Sequence, residues 1–364
     1  MHQPNYLIHF WTVKPTAEVD YIIVGQGLAG SAIALELLKH GRRIMVIDRG
    51  DKNQASWVAA GIFNPITGKN FVKTWKADEV FPALHRFYAD AQQLLSQRFF
   101  FSIPLYRPFL SIGEQNEWMG KSAEKDFREY INDVKTSTNY PGVVNDPFGG
   151  LLLRQTGFLD TPAYLTSVRD YLLARGCFRF SVFNEANLII DERGVAYEGC
   201  RAKKIIFCQG ADAVSNKWFR KLPIRGLKGE TLTIKTRWKT DVILNRGVYI
   251  VPGSVSGEFR VGSTYNVNDH SPGSSEEGRA ELEARLGELM VNPYEVVGQN
   301  WGIRPTAPDR RPILGRHSEF GQLVIFNGLG TKGVSLAPYF SGLLYRWLEM
   351  GDPLPKEVDV TRYY

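Results

Sequence analysis

Asp20-Tyr21-Ile22-Ile23-Val24-Gly25-Gln26-Gly27-Leu28-Ala29-Gly30 is the stretch on which the fold turns, a short apolar run passing directly into G-x-G-x-x-G. The next residues, Ser31-Ala32-Ile33-Ala34-Leu35-Glu36-Leu37-Leu38-Lys39, have helical character, and Arg43-Ile44-Met45-Val46-Ile47-Asp48 reads as a second strand. The glycines have separate tasks: Gly25 makes the tight turn, Gly27 lets backbone approach a pyrophosphate, and Gly30 lets the helix pack closely on the strand. The N-terminus of such a helix offers unpaired N–H groups and partial positive charge to phosphates. Asp48 lies eighteen residues beyond Gly30, close to the roughly 20 expected of the carboxylate that takes the ribose hydroxyls. Strand, glycine loop, helix and acid in this order predict a bound dinucleotide, where a lone glycine motif would be only a turn.

At 364 residues the chain suits about two domains. Its composition, 43% hydrophobic and 23% charged, is ordinary for a globular protein. No apolar run approaches the roughly 20 residues that span a bilayer. Residues 1–18 lack the basic region and apolar core of a signal peptide, and read as a packing arm or an upstream-start extension. Cys177, Cys200 and Cys208 are odd in number and lack C-x-x-C spacing, which implies neither a disulfide framework nor a metal site. Cytoplasmic residence is the default expectation. The net charge of +6 is uneven, because residues 201–240 carry eleven Lys/Arg against Asp212 and Glu230. This stretch reads either as a solvated face with a few groups countering cofactor phosphates, or as a patch for a polyanion such as RNA.

Further along, Ala55-Ser56-Trp57-Val58-Ala59-Ala60-Gly61 is a run of small residues able to lie flat against a bulky planar ligand. Residues 78–98 have the apolar spacing of an amphipathic helix, 99–150 read as strands and loops, and 163–174 as a helix capped by Asp160 or Thr161. Ile205–Ala211 looks like a buried parallel strand whose glycine, Gly210, reaches the cofactor edge. Alternating runs at 231–236, 248–252 and 260–264 suggest an antiparallel sheet, followed by a charged helix at 274–290. A strand over 322–326 then leads into Asn327-Gly328-Leu329-Gly330-Thr331-Lys332-Gly333 and a terminal helix at about 337–348. The predicted fold class is α/β: a Rossmann-like nucleotide-binding domain from 19–85, 150–215 and 300–364, with an inserted mixed, largely antiparallel sheet from 86–149 and 216–299. The absence of a second G-x-G-x-x-G speaks against a reductase that draws electrons from NAD(P)H.

These segments resemble the D-amino-acid-oxidase-type flavoproteins, which include glycine and sarcosine oxidases. The likeness runs in order from Tyr21 to about Leu344. It is carried by Val58-Ala59-Ala60-Gly61 with Pro65, Tyr249-Ile250-Val251-Pro252-Gly253, Gly262-Ser263-Thr264, Gly302-Ile303-Arg304-Pro305 with Arg311-Pro312-Ile313-Leu314-Gly315, and the 327–333 loop. The resemblance implies FAD, with its isoalloxazine ring at the junction of the two sheets. It implies cofactor contacts at Gly25, Gln26, Gly27, Leu28, Ala29 and Gly30, at Asp48 and Arg49, and at Ser56, Ala59, Ala60 and Gly61. Further contacts are implied at Gly210, Gly302 and Arg304, and at Gly328, Leu329, Gly330, Thr331, Lys332 and Gly333. Arg304 would grip the substrate carboxylate with its planar fork, Tyr249 would add a phenolic hydrogen bond, and Lys332 would stabilise negative charge near flavin N1 and O2. The cysteines lie away from the positions at which sarcosine oxidases attach FAD, so a non-covalent flavin is expected, and no metal.

The implied activity is oxidation of the carbon–nitrogen bond of a small amine or amino acid by hydride transfer to flavin N5, with oxygen or a quinone as acceptor. A narrower likeness joins Gly328–Pro338 to the FAD domain of bifunctional tRNA wobble-uridine-modifying enzymes, which removes a carboxymethyl group from a modified uridine. This chain lacks their methyltransferase half and has Lys332 where arginine is usual. A third alternative is a non-catalytic flavin-binding partner protein.

Overall fold

The computed structural model describes residues 17–51, 54–67, 72–269 and 271–364. Most of the predicted N-terminal extension therefore lies outside the described residues, but its last two do not: β1 (Ala17–Val24) begins two residues before the predicted boundary, with Ala17 and Glu18 paired to Cys200 and Arg201. The helix α1 (Leu28–Lys39) and β2 (Ile44–Asp48) follow. β1 lies parallel to both β2 and the Cys200–Phe207 strand, with Val24 level with Ile47 and Phe207. Gly25, Asp48 and Cys208 therefore emerge at one carboxyl edge, where open α/β sheets bind ligands. Phe178–Phe180 extends this sheet beyond β2 in parallel, and Leu323–Asn327 adds on in parallel to residues 205–207.

A second eight-stranded sheet runs in the order 295–306, 225–235, 258–262, 248–252, 243–246, 105–108, 150–153, 131–135. All its pairs are antiparallel except Ile243–Arg246 with Leu105–Pro108, so the expected mixed, largely antiparallel sheet is present. Two strands sit on its side of the expected domain edges: Gly150–Leu153 and Glu295–Thr306 both pair within it. The amphipathic helix spans Ala77–Leu95 and crosses the expected boundary at 85. It packs against the terminal helix Gly333–Met350, to which the buried Tyr88 hydroxyl donates at the Val334 carbonyl, 3.0 Å. Among the described residues no helix is long and apolar enough to cross a membrane.

Residues 99–150, read as strands and loops, also hold a helix, Ile112–Lys121. Its cause is local: Ser111 Oγ accepts from the Glu114 N–H at 3.1 Å, while the Glu114 carboxylate accepts from the Leu110 N–H at 2.8 Å. That is a variant of S-x-x-E capping in which the carboxylate reaches one residue beyond the cap's own N–H.

The Glu276–Leu289 helix depends on one buried acid beneath its start. Glu230 is 3% exposed and accepts from the Ser275 N–H, the Ser275 hydroxyl and Gln299 at 2.9, 2.7 and 2.7 Å. Ser275 Oγ in turn accepts from the Gly278 N–H at 3.0 Å as the helix cap. Ser275→Ala removes both the cap and one partner of a buried carboxylate. It should destabilise the protein by about 2 kcal/mol, read as a lower urea midpoint at unchanged m-value.

Candidate active site

At the carboxyl edge, Gly25 adopts φ +98°, and a Cβ there would lie 2.5 Å from the Cys208 carbonyl oxygen. A Cβ on Gly30 would lie 1.8 Å from the Gly25 carbonyl oxygen, so α1 can start tight against β1 only with glycine at both positions. Gly27 caps α1 without a side chain, and Ser56 Oγ accepts from the Leu28 N–H at 3.1 Å. Asp48 is buried, its two carboxylate oxygens accepting from the Gln26 and Gly50 N–H groups at 2.7 Å each. Each oxygen keeps a further lone pair for a hydroxyl donor. Arg49 beside it is ion-paired to Asp51 and Asp212 at 2.6 and 3.0 Å.

From this edge a cavity of about 680 Å³ extends past Gly25, Gly27, Leu28, Ala29, Asp48, Arg49 and Ser56 to Ala59, Ala60 and Gly61. Gly210, Gly302, Arg304, Leu329, Gly330, Thr331 and Gly333 complete the expected part of its wall. A long cavity that starts at a glycine-lined helix N-terminus fits a dinucleotide with its pyrophosphate at Gly27. Four expected contacts are not on this wall. The Gln26 side chain turns inward to Ser31 and the Leu165 carbonyl, Gly30 lies behind Gly25, Gly328 packs at Ile313 and Arg311, and Lys332 faces another cavity.

At the opposite end, Arg304 projects from the Glu295–Thr306 strand across its neighbour. A Cβ on Gly229 would meet both terminal guanidinium nitrogens at 2.1 Å. The Tyr265 ring centroid lies 5.1 Å from the guanidinium carbon. Among the described residues its polar partner is the Thr264 carbonyl at a long 3.4 Å, and no acidic side chain pairs with it. Tyr249 stands opposite Gly262, where a Cβ would lie 2.6 Å from the phenol oxygen. Burial pushes the phenol up to about 12, although Arg304 draws it partly down, so Tyr249 is a neutral donor at ordinary pH. Gly229 and Tyr265 were not legible as site residues; Gly229 enters only through strand register.

Lys332 ends the Gly330–Lys332 turn, and its Nζ donates to the hydroxyls of Thr67 and Thr74 at 3.1 and 3.3 Å. Burial, with Arg311 and Arg310 nearby, lowers its ammonium to about 8. The group lines a wider cavity of about 2160 Å³ that shares Ile62, Tyr249, Ser263, Tyr265, Ile303 and Leu329 with the first. Cys208 lies at the nucleotide end of the first cavity, and burial pushes its thiol far up. Among the described residues no group of three or more His, Cys, Asp or Glu could hold a metal ion.

The basic stretch divides between the sheets. Arg201, Lys203 and Lys204 lie on the Cys200–Phe207 strand, and Arg225, Lys228 and Lys235 on the Arg225–Lys235 strand. Several are already neutralised: Arg201 by Asp191 at 2.9 Å, Lys203 by Asp20 at 2.9 Å, and the buried Lys228 by Asp269 at 2.6 Å.

Residues 20–347 match the family described as FAD dependent oxidoreductase. The chain is similar to a glycine oxidase of Pseudomonas aeruginosa, 25% identical over 92% of this chain and 95% of the relative. It is also similar to the tRNA 5-methylaminomethyl-2-thiouridine biosynthesis bifunctional protein MnmC of Leptospira interrogans, 24% identical over 94% of this chain but only 59% of the relative. The crystal structure of glycine oxidase from Geobacillus kaustophilus superposes with a TM-score of 0.78 at 21% identity, covering 96% of this chain and 98% of the other.

Gly27→Val places a branched side chain in the proposed pyrophosphate space, against Ser56. The variant should keep its far-ultraviolet circular dichroism but retain FAD at least about tenfold more weakly, measured as flavin absorbance after gel filtration. Retention at the parent stoichiometry would show that the pyrophosphate lies elsewhere.

Proposed function

Because the chain belongs to the family of FAD dependent oxidoreductases, we propose that it oxidises the carbon–nitrogen bond of a small amine or amino acid that carries a carboxylate, using non-covalent FAD. The observation that carries this reading is Arg304, a guanidinium held between Gly229 and Tyr265, on the cavity wall and without an acidic partner among the described residues. A planar fork in that position offers two parallel N–H donors to a carboxylate. Tyr249, on the same wall, adds a neutral O–H donor. When bound, FAD supplies the two-electron acceptor that converts an amine and its neighbouring C–H into an imine.

The protein's contribution is orientation. Anchoring the carboxylate by two or more hydrogen bonds fixes the adjacent carbon along the cavity axis and turns a bimolecular encounter into an ordered one. Among the described residues, the side chains around Arg304, namely Tyr249, Ser263, Thr264 and Tyr265, include neither carboxylate nor imidazole. The cavity's acids, Asp48, Asp212 and Glu185, are held by Gln26 and Gly50, by Arg49 and by the Lys217 N–H respectively. On this reading the substrate amine arrives neutral, with its own lone pair. The likeness to a glycine oxidase supports an amino acid as substrate, and the buried neutral thiol of Cys208 supports a flavin held without a thioether there.

One observation favours a second reading, removal of a carboxymethyl group from a modified uridine of tRNA. The wider cavity is large and rich in Arg and Lys. The chain spans 59% of the length of the tRNA-modifying relative, and the division of the basic stretch between two sheets weakens a continuous RNA face. Both readings share Arg304 and the amine chemistry.

Anaerobic mixing with D- and L-amino acids, N-methyl amino acids and tRNA bearing carboxymethylaminomethyl uridine separates the readings by which of them bleaches the flavin. The small amines should do so and tRNA should not; bleaching by tRNA alone would overturn the choice. Arg304→Lys keeps charge but loses the fork. It should retain FAD and lower kcat/KM for carboxylate-bearing amines by about 2 kcal/mol. Flavin reduction at the parent rate in this variant would show that Arg304 is not the carboxylate anchor. Tyr249→Phe removes a neutral donor, so it should lower kcat/KM about tenfold without moving the pH profile between about pH 6 and 10.

A further inference from the structure

We propose that the substrate carries a second anionic group, a carboxylate or a phosphate, and that the wider cavity is its seat. This rests on the reading of Arg304 as the first carboxylate grip. Of the eight Lys and Arg on the wall of that cavity, Lys73 is paired with Asp78, Arg246 with Glu114 and Arg285 with Glu281, at 2.7, 2.7 and 2.8 Å, and Arg107 lies beside Glu114; the wall's acids are Asp212, paired with Arg49, and Glu288. Four cations are left over. Arg225, Arg310, Arg311 and Lys332 line the cavity, and among the described residues none forms an ion pair with a carboxylate.

Two of these four are held in place without an anion. The Arg311 guanidinium carbon lies 4.0 Å from the Trp75 ring centroid, and Lys332 is bonded to two threonine hydroxyls. Arg225 and Arg310 are exposed and solvent carries part of their charge, whereas Lys332 is half-buried, where uncompensated charge is unfavourable, and its lowered ammonium registers this. Thr306 also lines this cavity, although its own hydroxyl is turned into the protein beside Gly330, buried and without a hydrogen-bond partner.

Position ties this cluster to Arg304. Thr306 follows Arg304 by two residues on an extended strand, so both project from one face about 7 Å apart. Arg225 stands directly opposite Thr306 on the neighbouring strand. A substrate whose carboxylate meets Arg304 can therefore extend into the wider cavity and place a second anion near Thr306, Arg225 and Lys332. The volume agrees: about 2160 Å³ is well beyond what a single small amino acid fills.

The test compares N-butylglycine with N-(3-carboxypropyl)glycine and N-(3-phosphonopropyl)glycine, which differ in the charge at the far end. It uses the FAD-loaded full chain, as parent and as the double variant Arg225→Gln with Arg310→Asn. Asparagine suits position 310, where φ is +56°. The parent should reduce its flavin with at least about tenfold higher kcat/KM for a dianionic amine than for N-butylglycine, and the preferred far group distinguishes carboxylate from phosphate. The variant should lose that preference while keeping its rate with N-butylglycine. In parallel, calorimetric binding of inorganic phosphate should be seen for the parent and be lost in the variant. Equal rates for charged and neutral amines in the parent, or phosphate binding that the variant retains, would overturn the proposal. If no amine bleaches the flavin yet phosphate binding is present and variant-sensitive, the anion seat stands and the amine-oxidation reading fails.

Discussion

Everything at the nucleotide end depends on how closely α1 approaches β1. The Gly25 carbonyl occupies the space where a side chain at position 30 would begin, 1.8 Å from its ideal Cβ. That contact aims the N-terminus of α1 into the cavity, with Gly27 at its mouth. The level register of β1 with β2 and with the Cys200–Phe207 strand brings Asp48 and Cys208 to the same edge. Asp48 then accepts from the Gln26 N–H inside the glycine loop, so the acid proposed for a ribose also braces the loop proposed for the phosphates. One carboxylate would thus couple the two halves of the proposed nucleotide site.

The second sheet meets this assembly through another glycine. A Cβ on Gly302 would lie 2.7 Å from Val58 Cγ2 and 3.1 Å from the Ala55 Cα, which means that the Glu295–Thr306 strand lies directly on the Ala55–Val58 turn of helix. Two residues on, Arg304 crosses Gly229 of the adjacent strand. Both contacts belong to the same strand pair, in which Gly302 stands opposite Gly229. The missing side chains thus do two things at once: they bring the second sheet against the nucleotide cavity, and they leave a channel across which the guanidinium lies flat. Arg304 is positioned by backbone packing, which accounts for its orientation without an acidic partner.

Patterns confined to a few neighbouring residues were legible in the chain. The glycine loop, the acid ending β2, a cap at 160 or 161 for the Thr161–Ala174 helix (Asp160 in the structure) and the strand at 248–252 all appear where local spacing puts them. The Ile112–Lys121 helix carried a readable capping box at Ser111 and Glu114, obscured by surrounding Phe, Pro and Gly. Sheet membership was a different matter. Gly150–Leu153 and the end of the Glu295–Thr306 strand look alike whichever sheet they join, because pairing is decided by partners far away in sequence. The direction of Lys332 was unreadable for the same reason: Thr67 and Thr74, which hold its Nζ, are more than 250 residues away.

Charge shows how far linear density and spatial density can diverge. The eleven Lys/Arg of residues 201–240 look like one feature in the sequence, yet strands of two different sheets carry six of them and the connecting segments the rest, and Asp191, Asp20 and Asp269 neutralise three. The cationic wall beside the candidate site draws only Arg225 from that stretch. Arg310 and Arg311 come from the loop after the Glu295–Thr306 strand, and Lys332 comes from the turn after Leu323–Asn327. That loop and that turn are brought together by the short bridge between Thr306 and Leu329. A contact of the second sheet with the 327–333 loop therefore creates a positive surface that no segment of the chain carries alone, because the same Thr306 that bridges to Leu329 also stands opposite Arg225 on the neighbouring strand.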